Sequence, residues 1–167
     1  MLISQKLAAA ISEQVGREFA ASMQYVAIAA YCGLENLPEL ARYFFKQADE
    51  EREHAMKFVH HLVEAGERVT VPAVSKPRDT FGSVEEAVKL SLDWEHEVTK
   101  QIYALVALAD QEGNYITHHF LQWYVDEQLE EVSSMDQLLS VVRRAGNQLL
   151  FVEDYIARSG HPEEGKG

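Results

Sequence analysis

Leu40-Ala-Arg-Tyr-Phe-Phe-Lys-Gln-Ala-Asp-Glu-Glu-Arg-Glu-His-Ala-Met-Lys-Phe-Val-His-His-Leu62 decides the fold. Advancing about 100° per residue around a helix puts Leu40, Phe44, Phe58 and Leu62 on one line. The residue at the centre of that apolar line is Glu51. Three other stretches repeat the pattern. Leu7, Ile11, Tyr25 and Ala29 share a stripe with Glu18, while Lys6, Glu13, Arg17 and Gln24 lie on the far side. Val84, Val88, Ile102 and Val106 flank Glu95, and Phe120, Tyr124, Leu138 and Val142 flank Glu131. The chain therefore reads as four amphipathic helices, each with one glutamate near mid-helix on its apolar face.

Glycine and proline set the boundaries. Gly33, Gly66, Gly82, Gly113, Gly146 and Gly160 cut the chain into segments, and only Gly16 falls inside one. Ser83 with Glu86 and Asn36 with Glu39 have the spacing of capping boxes. Asn114 and Asn147 are placed to accept from free backbone N–H groups. The expected helices span 4–32, 37–65, 84–112 and 115–145, with a short fifth over 148–158 and a polar tail at 159–167. Such lengths exceed the globular mean of about 11–12 residues and point to a bundle. Residues 68–81 carry Val69, Val71, Pro72, Val74 and Pro77 without helical period. Fourteen extended residues reach about 46 Å, enough to run the length of a helix of about 42 Å. That makes the second and third helices parallel: an all-α, up-down-down-up bundle with one long crossover.

At 167 residues the chain fits one domain, and 47% apolar against 25% charged residues is a globular balance. Acidic residues number 27 against 15 basic, a net charge of −12, which disfavours nucleic acid and anionic membranes as partners and suits cations. The start has no secretory pattern, and the longest weakly polar run, 25–34, is about half a membrane span. The lone Cys32 requires no oxidising compartment. The expectation is a cytoplasmic protein.

Four ionised carboxylates converging in a dry interior would repel each other and lose hydration, at several kcal/mol per ion. They must protonate or be neutralised, and two divalent cations bring the matching charge. His54, three residues after Glu51 on the same face, adds an imidazole and shifts the preference towards iron, manganese or zinc. Glu127 and Gln128 lie within one turn of Glu131, as accessory ligands or supports. Tyr25 reads equally as core and as a hydrogen-bond or electron donor beside a metal. His60, His61, His96, His118 and His119 project off the stripes as surface residues. Met23, Met56 and Met135 read as packing, and Trp94 and Trp123 as core-edge or subunit-contact residues.

Arg17-Glu18 with Tyr25, Glu50-Glu51-Arg52-Glu53-His54, Glu95 and Phe120-Leu-Gln-Trp-Tyr-Val-Asp-Glu-Gln-Leu-Glu-Glu131 together resemble the bacterial non-haem ferritins, over nearly the whole chain. The resemblance implies a ferritin-like bundle with one crossover and a cytoplasmic iron-storage protein with ferroxidase activity. Glu18 and His54 would bind one iron, Glu51 would bridge, and Glu95 and Glu131 would bind the second, with Gln128 close by and Tyr25 beside the pair. Glu50, Glu127 and Glu130 match a third, looser iron site. Fe²⁺ would be oxidised by dioxygen or peroxide and stored as ferric mineral in a homo-oligomeric shell of 24 subunits.

Two departures separate the chain from neighbouring groups. Bacterioferritins and rubrerythrins carry a second Glu-x-x-His on the fourth helix, where Gln128-Leu-Glu-Glu131 has glutamate instead. Bacterioferritins also offer a haem-ligating methionine at the position of Arg52, so no haem is expected. The alternatives are a di-iron carboxylate oxidase or oxygenase of the rubrerythrin or bacterioferritin type, and a structural bundle without metal.

Overall fold

The computed structural model describes residues 2–159; the expected tail lies outside them apart from Ser159. Five helices follow in order: α1 Gln5–Leu34, α2 Pro38–Glu64, α3 Val84–Gln111, α4 Tyr115–Ala145 and α5 Leu150–Ser159. Side-chain pairings fix their directions. α1 runs against α2, with the Ser22 hydroxyl donating to the Ala48 carbonyl at 2.6 Å. α1 also runs against α3: Gln14 reaches Gln101 at 3.2 Å, and the Tyr25 hydroxyl donates to Glu95. α2 opposes α4 through Gln47–Glu131 and His61–Thr117. The order is up-down-down-up.

The crossover lies along α1. Thr70 N–H donates to Ser12 Oγ, Gln24 exchanges two hydrogen bonds with the Arg78 backbone, and Pro72 packs over Gly16. A Cβ at Gly16 would sit 2.8 Å from Pro72 Cγ, which explains a glycine in mid-helix despite its cost of about 1 kcal/mol. Gln24, expected on the solvent side of α1, is buried beneath this strap.

Start signals divide into local and distant ones. Ser83 accepts from Glu86 N–H and Asn114 from Thr117 N–H, as their spacing predicts. Glu86 reaches one residue further back than a capping box requires and accepts from Gly82 N–H at 2.6 Å. Asn36 does not cap α2. It takes a left-handed conformation (φ 59°) after α1, and Leu37 occupies the cap position without a side-chain bond. The missing acceptor comes from α5: Glu153 Oε2 accepts from Glu39 N–H at 2.7 Å. Asn147 lies in the turn before α5, three residues ahead of its start at Leu150. Gly113 (φ 63°) makes the reversal between α3 and α4.

The sixteen stripe residues behave as expected, with only Val106 and Phe120 less than fully buried. They form two apolar clusters. One contains Tyr25, Ile28, Leu40, Phe44, Val88, Leu138, Val142 and α5's Val152 and Ile156. The other contains Leu7, Ile11, Phe58, Leu62, Ile102, Leu121 and Tyr124. Met135 is buried in the first, whereas Met23 is half-exposed and outside both clusters. Trp94 packs at the edge of both clusters.

Candidate metal centre

Between the two clusters each helix gives up one buried position to a carboxylate. Glu18, Glu51, Glu95 and Glu131 are each 4% exposed or less, and the α-helical period brings them to one level. Three groupings have their ligand atoms within 4.8 Å of one another: Glu18, Glu51 and His54; Glu51, Glu95 and Glu131; and His54, Glu127 and Glu131. Glu51 belongs to the first two and so sits between two sets of ligands. His54 Nδ1 lies 3.4 Å from Glu51 Oε2, and its Nε2 lies 3.6 Å from Glu127 Oε1. The Tyr124 hydroxyl holds the His54 carbonyl at 2.6 Å, and Trp123 packs edge-on against the imidazole at 5.3 Å.

The electrostatics are those of a site that suits a cation. Burial pushes Glu51 well above the usual carboxylate range, with His54 opposing the shift. Burial raises Glu131 too, and the charges of Glu95 and Glu51 add to it. Glu95 is pushed up to about 7 by burial, against the hydrogen bond from Tyr25. Burial opposes charge on His54, but the facing Glu51 and Glu127 outweigh it and raise the imidazole well above its ordinary value. Tyr25 is raised well above 10 by burial and by Glu95, so its hydroxyl remains a donor. Four buried side-chain oxygens among the described residues have no hydrogen-bond partner, and two of them are Glu18 Oε2 and Glu51 Oε1. Unpartnered buried carboxylate oxygens cost free energy unless a cation meets them. Oxygen donors with one imidazole suit a divalent transition metal.

Of the residues expected from sequence, Glu18, Glu51, His54, Glu95 and Glu131 meet in this layer, with Tyr25 bonded to Glu95. Glu127 joins it through His54 and Glu131. Gln128 turns its amide nitrogen to Glu95 Oε2 and Thr99 Oγ1, at 3.2 and 3.1 Å, and so acts there as a donor. Glu50 and Glu130 are half-buried and enter none of the three groupings. His61 is not a surface residue: it is buried, stacked on Phe120 at 4.0 Å and bonded to Thr117. Gln14 and Gln47 escape a reading of stripes alone, although each stands four residues before a stripe glutamate.

Residues 8–145 match the family described as Ferritin-like domain. Ferritin BfrB of Mycobacterium tuberculosis is 45% identical over 153 residues, 92% of this chain and 84% of that one. The bacterial non-heme ferritin of Staphylococcus aureus is 37% identical over 98% of this chain and 100% of its own. Among solved structures, an open pore ferritin from the hyperthermophilic archaeon Archaeoglobus fulgidus superposes with a TM-score of 0.90 at 34% identity, over 93% of this chain and 98% of that one.

Proposed function

The chain belongs to the ferritin family of iron-storage proteins, and from that premise we propose that it is a ferroxidase that oxidises its own cargo. Two Fe²⁺ ions are the substrate. Glu18 and His54 take one, Glu95 and Glu131 the other, and Glu51 is shared. The observation that carries this reading is the pair of groupings that meet at Glu51 within a buried layer. Each Fe²⁺ gives up one electron. Dioxygen takes the two electrons and two protons to become hydrogen peroxide, and peroxide takes two more of each to become two waters. The chain's own part is to strip water from the ions, hold them side by side and accept or release protons at the carboxylates. Tyr25 keeps its proton and steadies Glu95.

Glu127, placed against His54, together with Glu50 and Glu130 forms a looser third iron position. No haem is used, because Arg52 is exposed and a guanidinium cannot ligate iron. Oxidised iron is stored inside a shell of 24 copies. Exposed Leu2, Met23, Val26, Leu34, Phe45 and Leu150 support burial against neighbouring subunits. No helix among the described residues is long and apolar enough to cross a membrane, and the composition with its one buried cysteine suits the cytoplasm.

The test is anaerobic Fe²⁺ titration followed by admission of dioxygen, with particle mass from light scattering. Two tightly bound Fe²⁺ per chain and rapid oxidation on a 24-subunit particle are expected. A monomer that binds no Fe²⁺ contradicts the proposal.

A further inference from the structure

The carboxylate layer is flanked by three buried glutamines, distributed one to each outer carboxylate. Gln14 donates its Nε2 to Glu18 Oε1 at 2.9 Å. Gln47 reaches from α2 across to α4 and donates to Glu131 Oε2 at 2.8 Å. Gln128 donates to Glu95 Oε2, while the other oxygen of Glu95 takes the Tyr25 hydroxyl. Glu51 is different: Oε2 faces His54, and Oε1 has no partner. So three of the four stripe carboxylates are tethered by a neutral amide, and Glu51 is not.

The direction of the Gln14 amide is fixed by its surroundings. Its Oε1 accepts from Arg17 Nη1 at 3.3 Å, and Nε2 also serves Gln101 Oε1 at 3.2 Å. Turning the amide over would face Arg17 with a donor and Glu18 with an acceptor. Gln14 and Gln47 are 0% and 2% exposed, so water does not replace them as donors.

We infer that Gln14 and Gln47 are positioning residues, each holding one outer carboxylate by a single oxygen: Gln14 for the Glu18–Glu51–His54 position and Gln47 for the Glu51–Glu95–Glu131 position. The choice of an amide follows from charge. A lysine or arginine would also orient the carboxylate, but its fixed charge would take the place of the cation the layer is built to receive. An apolar side chain would leave the carboxylate free to rotate. The amide fixes orientation without supplying charge. At Glu18 the result is visible: Oε1 is engaged and Oε2 is left bare.

This inference rests on the two-cation reading of the layer, and the experiment keeps the two apart. Anaerobic Co²⁺ titration by calorimetry counts binding steps, and the paramagnetically shifted imidazole resonance of His54 marks the first position. Wild type should bind two Co²⁺. Gln47→Met should weaken one step by about 10–100-fold, the usual effect of removing a hydrogen bond behind a metal ligand, and leave the shifted His54 signal in place. Gln14→Met should weaken the step that carries that signal and spare the other. Gln47→His, which restores an N–H donor, should recover the lost step. Gln47→Leu replaces Gln47→Met if the latter does not fold. Wild-type affinity at both positions in both variants would overturn the inference, as would equal weakening of both steps by each variant. Wild type that binds no Co²⁺ would overturn the two-cation reading itself.

Discussion

The carboxylate layer and the apolar clusters on either side of it are made by the same four helices, yet they obey different rules. In the clusters the stripe positions are filled by Leu, Ile, Val, Phe and Ala, with two tyrosines whose hydroxyls are hydrogen-bonded, and almost all are without exposure. In the layer the same stripe carries Glu18, Glu51, Glu95 and Glu131, with bare oxygens on Glu18 and Glu51, and burial drives Glu51, Glu95 and Glu131 towards their neutral form. The clusters stabilise the folded chain whatever is bound. The layer opposes folding until protons or cations arrive, as sites built for chemistry often do. A second buried carboxylate environment sharpens the contrast. Glu153 also has a low exposure, but it accepts backbone N–H bonds at the start of α2 and serves structure.

Truncating the clusters should have the largest effect. Leu62 is fully buried and lies about three turns beyond Glu51 on α2, so Leu62→Ala should cost about 2–5 kcal/mol. Chemical denaturation should show that loss equally in metal-free and metal-loaded protein, with two metals per chain retained. Loss of a metal at the same time would break the separation between the regions.

pH should act most strongly on the layer, with His61, held below its ordinary value by burial, contributing in the opposite direction. Glu95, near 7 in the folded chain, holds a proton that the unfolded chain releases from its ordinary 4.5 upward. Its contribution to metal-free stability is therefore complete below about 4.5 and is lost as pH rises through about 7. His54, raised above 6.5 by Glu51 and Glu127, is stabilising below its unfolded value and loses that contribution as pH rises through its folded one. Both fall in the same direction. Divalent metal competes with these protons, so its binding should strengthen over the same rise. Melting curves across about pH 5 to 8, with and without Zn²⁺, check the opposed slopes.

Smaller effects lie outside both regions. Gly16→Ala would gain about 1 kcal/mol in a free helix, but here its Cβ meets Pro72, and a net loss of about 1–3 kcal/mol is expected from overpacking. Glu153→Ala should cost about 1 kcal/mol, as loss of a helix cap does, with amide exchange accelerating first in α5. A variant as stable as wild type would remove the structural role of this carboxylate and blur the contrast with Glu51.

The sequence makes the helices legible because apolar residues return with the 3.6-residue period, and a glutamate on such a stripe stands out. The direction of α3 is equally legible, because residues 68–81 are long enough to run the bundle's length. What one helix's periodicity does not carry is the identity of the neighbour covering its other faces. Gln24 faces outward by angle yet is buried by the crossover, His61 leaves its stripe yet stacks on Phe120, and the cap of α2 comes from Glu153 rather than from Asn36. Gln47 shows the same limit within the site. Its place one turn before Glu51 is visible in the sequence, but its partner is Glu131 on another helix.

If Glu51 serves metal chemistry at the expense of the metal-free fold, a paired measurement on wild type and Glu51→Gln will show both sides of that trade. The substitution removes a negative charge from a layer of four and one ligand shared by two ions. Metal-free Glu51→Gln should melt at or above the wild-type temperature, because repulsion and a buried charge are relieved. In stopped flow its rapid Fe²⁺ oxidation should fall at least about tenfold, equivalent to about 1.4 kcal/mol. A metal-free variant that melts several degrees lower and oxidises iron at the wild-type rate would contradict the account.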